Sequence, residues 1–328
     1  MRLLARTLRL AGRGPSLTIL SYHRVLAAPS AMLPDYPTQR EFAEQIRAAK
    51  RWLQFAPLAD AWSEVASNRS NRHFGAVTFD DGYRDNLEFA LPVLLAERVP
   101  ATVFLATAYT NGEPFFVDQI TESIARTKVF RLDARDLGLP ILELSSTEER
   151  LNATRVALEL AKYRAPAQRD ALATELARRL QVGDLSRLLM NAEEIRQAHR
   201  GGLRAAAHMH RHQIMTAAPE DQIREDLSQN IEAIMQITGE RPTEFAYPNG
   251  KPGADFMNMH QRLLQEFGIR IAVTTEHGIA VPGDNPYQLP RYSPWDRNPR
   301  SFGLRLFMDV CRETRHPARL PTGITETA

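Results

Sequence analysis

Two kinds of side chain stand in this sequence where chemistry can be done: adjacent carboxylates and closely spaced imidazoles. Asp80 and Asp81 occur together in Thr78-Phe79-Asp80-Asp81-Gly82-Tyr83. Adjacent residues at a strand end point in different directions, so one carboxylate can hold a cation while the other accepts a proton. Gly82 permits the tight turn behind them. An ordinary turn with solvated acids reads the same way, so the pair alone is weak evidence. His208-Met209-His210-Arg211-His212 gathers three of the chain's nine histidines into five residues. His208 and His212 fit one helical turn or a tight loop, with His210 facing away. Neutral imidazoles plus a carboxylate suit a divalent transition metal, and the Asp80–Asp81 pair is the nearest candidate for the oxygen ligand. A polar surface turn with surplus histidines is the alternative.

These residues meet only if the chain folds them onto one face. The apolar run Leu17–Tyr22 reads as a strand ending at His23, and Gly75–Phe79 as a strand ending at Asp80. Strands are also predicted at Pro100–Ala106, Leu203–Ala207 before His208, Glu244–Tyr247 before Asn249, and Ile269–Thr275. Helical spacing fills the intervals, as at Phe42, Ile46, Ala49 and Leu53, at 86–97, at 219–238 with Gly239 closing it, and at 256–267. This alternation predicts a mainly parallel α/β sheet covered by helices, whose ligands bind at the carboxyl ends of the strands. Between about 116 and 195 the rhythm changes. Residues 150–180 are rich in Ala, Leu, Arg and Glu with helical periodicity and no strand signal, which reads as a helical insertion.

Composition narrows the class. The chain has 328 residues, 43% hydrophobic and 24% charged, so it is globular and long enough to bury a sizeable core. A net charge of +2 does not imply a nucleic-acid partner, although 37 of the 41 basic residues are arginines, scattered among acids. Cys311 is the only cysteine, which excludes an intrachain disulfide and leaves histidine and carboxylate as the available zinc ligands. Arg6, Arg9 and Arg13 interrupt every run that a secretory signal would need. The expectation is a cytoplasmic protein whose basic segment, 1–15, at most docks weakly on the inner membrane face. A single catalytic domain is expected over 16–316, with the insertion at about 117–194 and a tail at 317–328.

Taken in order, the Asp-Asp-Gly-Tyr run, His-x-x-x-His and Phe245-Ala246-Tyr247-Pro248-Asn249-Gly250 resemble the polysaccharide deacetylases, carbohydrate esterase family 4 or the NodB homology domain, in its FAYPxG-type subgroup. Ser21-Tyr22-His23-Arg24-Val25, the run from Pro100 to Leu105, and Leu289-Pro290-Arg291 match the flanking segments. The resemblance covers about 16–116 and 195–300, with the helical stretch outside it. It implies an irregular (β/α) barrel of seven or eight strands. It also implies hydrolysis of acetyl groups, N-acetyl before O-acetyl, from an amino-sugar-containing glycan or a lipid-linked saccharide precursor. By the same resemblance, Asp81, His208 and His212 hold one divalent metal ion, zinc first, and Asp80 is the general base. The Asn249 N–H helps stabilise the oxyanion, with Tyr83 and Tyr247 near the substrate. Two departures stand out: Ala246 replaces an arginine that orients the base in many members, and the late Leu-x-x-His acid is missing. Arg291 can supply the first function. His23 is the better spare acid, His277 reading as a surface turn, and Trp295 as a packing residue. A non-sugar amide hydrolase, or a glycan-binding protein with a retired site, are the competing readings.

Overall fold

The computed structural model describes residues 14–313 except 184 and 186. Most of the basic segment and the tail from 317 lie outside the described residues. The strands are β1 (Ser16–Tyr22), β2 (Gln54–Phe55), β3 (His73–Phe79), β4 (Ala101–Leu105), β5 (Arg131–Asp133), β6 (Ile141–Glu143), β7 (Leu203–Ala207), β8 (Glu244–Ala246), β9 (Ile271–His277) and β10 (Leu289–Arg291). The helices are α1 (Gln39–Ala49), α2 (Leu58–Ala66), α3 (Leu91–Glu97), α4 (Phe116–Arg126), α5 (Thr147–Ala161), α6 (Pro166–Arg179), α7 (Ala192–Arg200), α8 (Glu220–Thr238), α9 (Asn258–Glu266) and α10 (Pro299–Glu313).

Eight strands form one sheet in the order β1-β3-β4-β7-β8-β9-β10, with β2 added beside β3, and every pairing in it is parallel. All of β3 is buried and so is nearly all of β1, as a strand covered on both faces requires. Just beyond β10, Tyr292 donates its N–H to Ile19 O at 2.7 Å and accepts from Ser21 N at 3.0 Å. That bridge nearly closes the sheet on itself, so the irregular (β/α) barrel expected from the sequence is what the chain forms. One cluster joins Leu17, Ile19, Phe74, Ala76, Phe104, Ala206, Ala246, Val273 and Leu289, drawn from seven different strands. Residues from so many strands meet only inside a barrel. The alternate positions, including Leu20, Tyr22, Val77 and Phe79, pack against the helices. No described helix is long and apolar enough to cross a membrane.

The stretch between β4 and β7 builds a second core of its own, joining Phe116, Ile120 and Ile124 of α4 to Ala157 of α5 and Leu176 of α6. The continuous helical pattern over 150–180 resolves into two helices. Pro166 occupies the first turn of α6, where a missing N–H costs nothing, and disfavours helix in the residue before it. Residues 150–180 hold no strand, as expected, but ahead of them β5 and β6 pair as a small antiparallel hairpin. Each has only three residues, too few for an apolar alternation to announce it.

Candidate active site

Parallel register sets the strand ends level. Tyr22 pairs with Phe79, Leu105 with Ala207, and Ala207 with Phe245. The residues that follow, His23, Asp80 and His208, therefore open onto one end of the barrel. The ensuing turns are tight enough to use left-handed backbone. Asp81, Met209, His212 and Asn249 have φ of 71°, 61°, 52° and 61°, and are four of seven described non-glycine residues with positive φ. Strain of this kind persists where surrounding structure imposes it, and here it re-aims side chains at one point.

Asp81, His208 and His212 form the one three-residue His/carboxylate cluster of ligand geometry among the described residues, their ligand atoms all within 4.8 Å of one another. Asp81 Oδ1 lies 3.5 Å from His208 Nε2 and 3.4 Å from His212 Nε2. His208 Nδ1 lies 2.7 Å from the Ala246 carbonyl, which fixes the proton there and turns the Nε2 lone pair to Asp81. The His208 N–H donates to Asn230 Oδ1 at 3.0 Å, and Asn230 Nδ2 in turn donates to Leu105 O and Thr107 Oγ1, both at 2.9 Å. His210 faces away, onto Thr107 Oγ1 at 2.9 Å. Burial pushes His212 down to about 3, so its imidazole is neutral and its lone pair available. Burial also acts to lower His208, but the adjacent Asp81 carboxylate and the charge of Asp80 outweigh it and raise the group. Asp81 Oδ1 is buried without a hydrogen-bond partner, an acceptor that a cation would satisfy. These donors fit a divalent metal of the zinc type, with one carboxylate and two imidazoles leaving a position open.

Asp80 sits beside this cluster, 2% exposed. Arg291 grips it with two parallel bonds, Nη1 to Oδ1 and Nη2 to Oδ2, both at 2.7 Å, while Arg291 Nε donates to Thr274 O at 2.7 Å. Burial alone would raise the Asp80 carboxyl, yet the Arg291 guanidinium overrides it and holds the group well below the usual carboxylate range. The charge that Ala246 cannot provide thus reaches Asp80 from β10. His23 Nε2 is 3.8 Å from Asp80 Oδ2, and the imidazole is 42% exposed, at the mouth.

The remaining candidates divide. Asn249 is half-buried at the turn after β8, with its carbonyl accepting from Thr275 Oγ1 at 2.6 Å. Tyr83 is buried, and its phenol donates to Asp118 Oδ1 at 3.0 Å. Tyr247 lies deeper. Its ring stacks on Phe256 at 3.6 Å, its hydroxyl donates to Tyr287 O at 3.0 Å, and it is buried in the helix-facing core. His277 ends β9 and lies 5.8 Å from the ring of Trp295, which is 63% exposed instead of packed inside.

Several further residues support the site, and of these Arg169 and Asp226 gave no signal of their own. Arg24 pairs with Asp85 at 2.8 Å and lies over the Tyr83 ring at 4.9 Å. Asp118 closes that group, and burial pushes its carboxyl up to about 7. Arg169 and Asp226 hold the loop that carries His212. An isolated arginine in a chain with 37 of them has no spacing to mark it.

Comparison with known proteins bears on the whole arrangement. No curated protein matches the chain in sequence. Among solved structures, the Streptococcus pyogenes deacetylase PplD in complex with acetate superimposes with a TM-score of 0.59 at 13% identity, covering 90% of this chain and 98% of that one. IcaB from Ammonifex degensii gives 0.54 at 18% identity, covering 89% and 98%. The BpsB deacetylase domain from Bordetella bronchiseptica gives 0.51 at 17%, covering 85% and 95%. At such identities these likenesses establish the shared barrel. The sequence pattern of the polysaccharide deacetylase family matches residues 67–128 and 152–271. The match runs through α5 and α6, so most of the helical stretch expected to lie outside the resemblance falls within it; the skipped part, 129–151, holds the small hairpin. With more than half of its length matched, and with the Asp-Asp pair and both loop histidines inside the matched residues, this chain belongs to the polysaccharide deacetylase family.

Proposed function

We propose that the protein is a metal-dependent deacetylase that hydrolyses N-acetyl groups on an amino-sugar-containing glycan or glycan precursor. The observation that carries this reading is the juxtaposition of the Asp81–His208–His212 cluster with the Arg291-gripped Asp80 at the strand ends of this barrel. Asp81, His208 and His212 would hold one divalent ion, zinc by the chemistry of the donor set. When bound, such an ion supplies Lewis-acid charge that polarises an acyl carbonyl and acidifies water.

The chain's own residues do the rest. Asp80 is ionised over the whole working pH range and fixed in orientation by Arg291, so it is set to accept a proton from an attacking water. The same pairing lowers its basicity, and what it provides in exchange is position and a constant charge state. The Asn249 N–H, on a strained turn, would donate to the developing oxyanion. His23, exposed at the mouth and 3.8 Å from Asp80, is placed to hand a proton to the leaving amine. The acetate in the PplD structure belongs to the same product class. A cytoplasmic or inner-face location, with a soluble or lipid-linked saccharide precursor as substrate, is part of this proposal.

Acetate release from a panel of N- and O-acetylated sugars tests the reading. Wild type should release acetate from N-acetylated members, and Asp80→Asn and His208→Ala should each abolish it. Only His208→Ala should also lose bound metal. Turnover surviving in Asp80→Asn would remove that residue as the base. A wild-type protein that retains metal but cleaves only non-sugar amides would replace the substrate class.

A further inference from the structure

Among the helices between β4 and β7, α4 reaches the His212 ring through Phe116 and α6 reaches the backbone of the His212 loop through Arg169. Arg169, on α6, is completely buried. Its Nη1 donates to the His212 carbonyl at 3.2 Å, and its Nη2 to the Arg211 carbonyl at 2.6 Å and to the Tyr109 hydroxyl at 3.0 Å. The guanidinium lies 3.9 Å from the centroid of the Phe116 ring. Phe115 and Phe116 in turn pack on the His212 imidazole, with ring centroids 5.6 and 6.3 Å away. On the other side of the loop, Asp226 of α8 accepts the N–H groups of His210 at 2.6 Å and Arg211 at 3.1 Å. The loop is therefore gripped by its N–H groups from α8 and by its carbonyls from α6.

Two further observations mark this as more than packing. Met209 and His212 hold left-handed backbone, which a non-glycine residue keeps only under external constraint. A buried guanidinium is also costly unless its charge and donors are satisfied. The nearest carboxylate, Asp170, approaches Arg169 Nε only to 3.5 Å, and that nitrogen makes no hydrogen bond. The donors that do bond are aimed at the ligand-bearing loop.

We infer that Arg169 is a positioning residue for the metal site: by clamping the carbonyls of Arg211 and His212 it holds the His212 imidazole facing Asp81. This rests on His212 being a metal ligand. Its consequence is that the helical insertion sets metal affinity from outside the barrel.

The test is a Co²⁺ titration of chelator-stripped full-length protein against a competing chelator, with the visible cobalt spectrum as a reporter of the ligand set. Arg169→Met should weaken Co²⁺ binding by about 10–100-fold and alter the spectrum, as loss of an outer-shell support does. Arg169→Lys keeps the charge but cannot fork across two carbonyls, so it should bind more weakly than wild type and better than the Met variant. Leu176→Ala, which thins the core of the same insertion, should lower the thermal midpoint yet leave affinity and spectrum unchanged. Wild-type affinity in Arg169→Met overturns the inference, as does a Leu176→Ala loss of affinity as large as that of Arg169→Met. Should Arg169→Met fail to fold, the Lys variant decides, and wild-type affinity there overturns it equally. Wild-type protein that binds no Co²⁺ refutes the metal site itself, and is told apart because the defect is already in the parent.

Discussion

Asp80 and Arg291 lie 211 positions apart in sequence, yet each is the other's charge partner in a place with almost no water. Removing one member of such a pair leaves a buried charge uncompensated. Arg291→Met should therefore cost about 3–5 kcal/mol of stability, and adding Asp80→Asn should recover much of it. Chemical denaturation of the two single variants and the double variant measures this; additive losses would mean that the pair is not coupled. Asp118 gives a second expectation. Its folded-state carboxyl titrates at about 7, against about 4 in an unfolded chain, so the folded form retains a proton that the unfolded form has released. Stability from this group is complete below about pH 4 and is lost as the pH rises through 7. Wild type should become less stable relative to Asp118→Asn between about pH 5 and 8, and parallel stability curves would contradict the burial argument. At this scale the sequence showed the acids and imidazoles, because adjacency and short spacing are visible in one dimension. Arg169 and Asp226 were not legible, since each acts through a long-range contact that no local spacing encodes. The packing of the Tyr247 ring on Phe256 was not legible either, because a motif position reveals nothing of which way a ring turns.

The elements matter here mainly for how they stop. Each site residue follows a strand whose end is level with its neighbours, and the turns beyond them depend on unusual backbone. Gly250 has φ of 72°, and a Cβ there would lie 3.0 Å from Thr275 N and 3.1 Å from Tyr247 O, both backbone atoms that cannot step aside. Gly250→Ala should cost at least about 1–2 kcal/mol and displace Asn249. Acetate release should fall while Co²⁺ affinity stays at the wild-type level, because the ligand loop follows a different strand. Equal loss of both would show that the two turns are not independent. The strand and helix alternation was readable from residue types, since buried parallel strands are short apolar runs and the helices carry a 3.6-residue period. The β5–β6 hairpin was not, because three residues per strand are too few to show a pattern. The break between α5 and α6 was signalled by Pro166, but periodicity on both sides obscured it.

Across the whole molecule, one barrel end collects residues from position 23 to position 291, and a second core beside it supports the loop bearing His212. The resemblance in the sequence anticipated the barrel and its family. It did not anticipate that Arg169 of α6 would support the site, because one buried arginine is hidden among many exposed ones. The central claim is that acetyl hydrolysis depends on a cation held by Asp81, His208 and His212. It is tested most directly by stripping the protein with chelator and measuring acetate release from an N-acetylated amino-sugar oligomer as Zn²⁺ is added back. Activity absent in the stripped protein, and rising to a plateau at one equivalent, is the predicted result. Full acetate release with no metal present would contradict it.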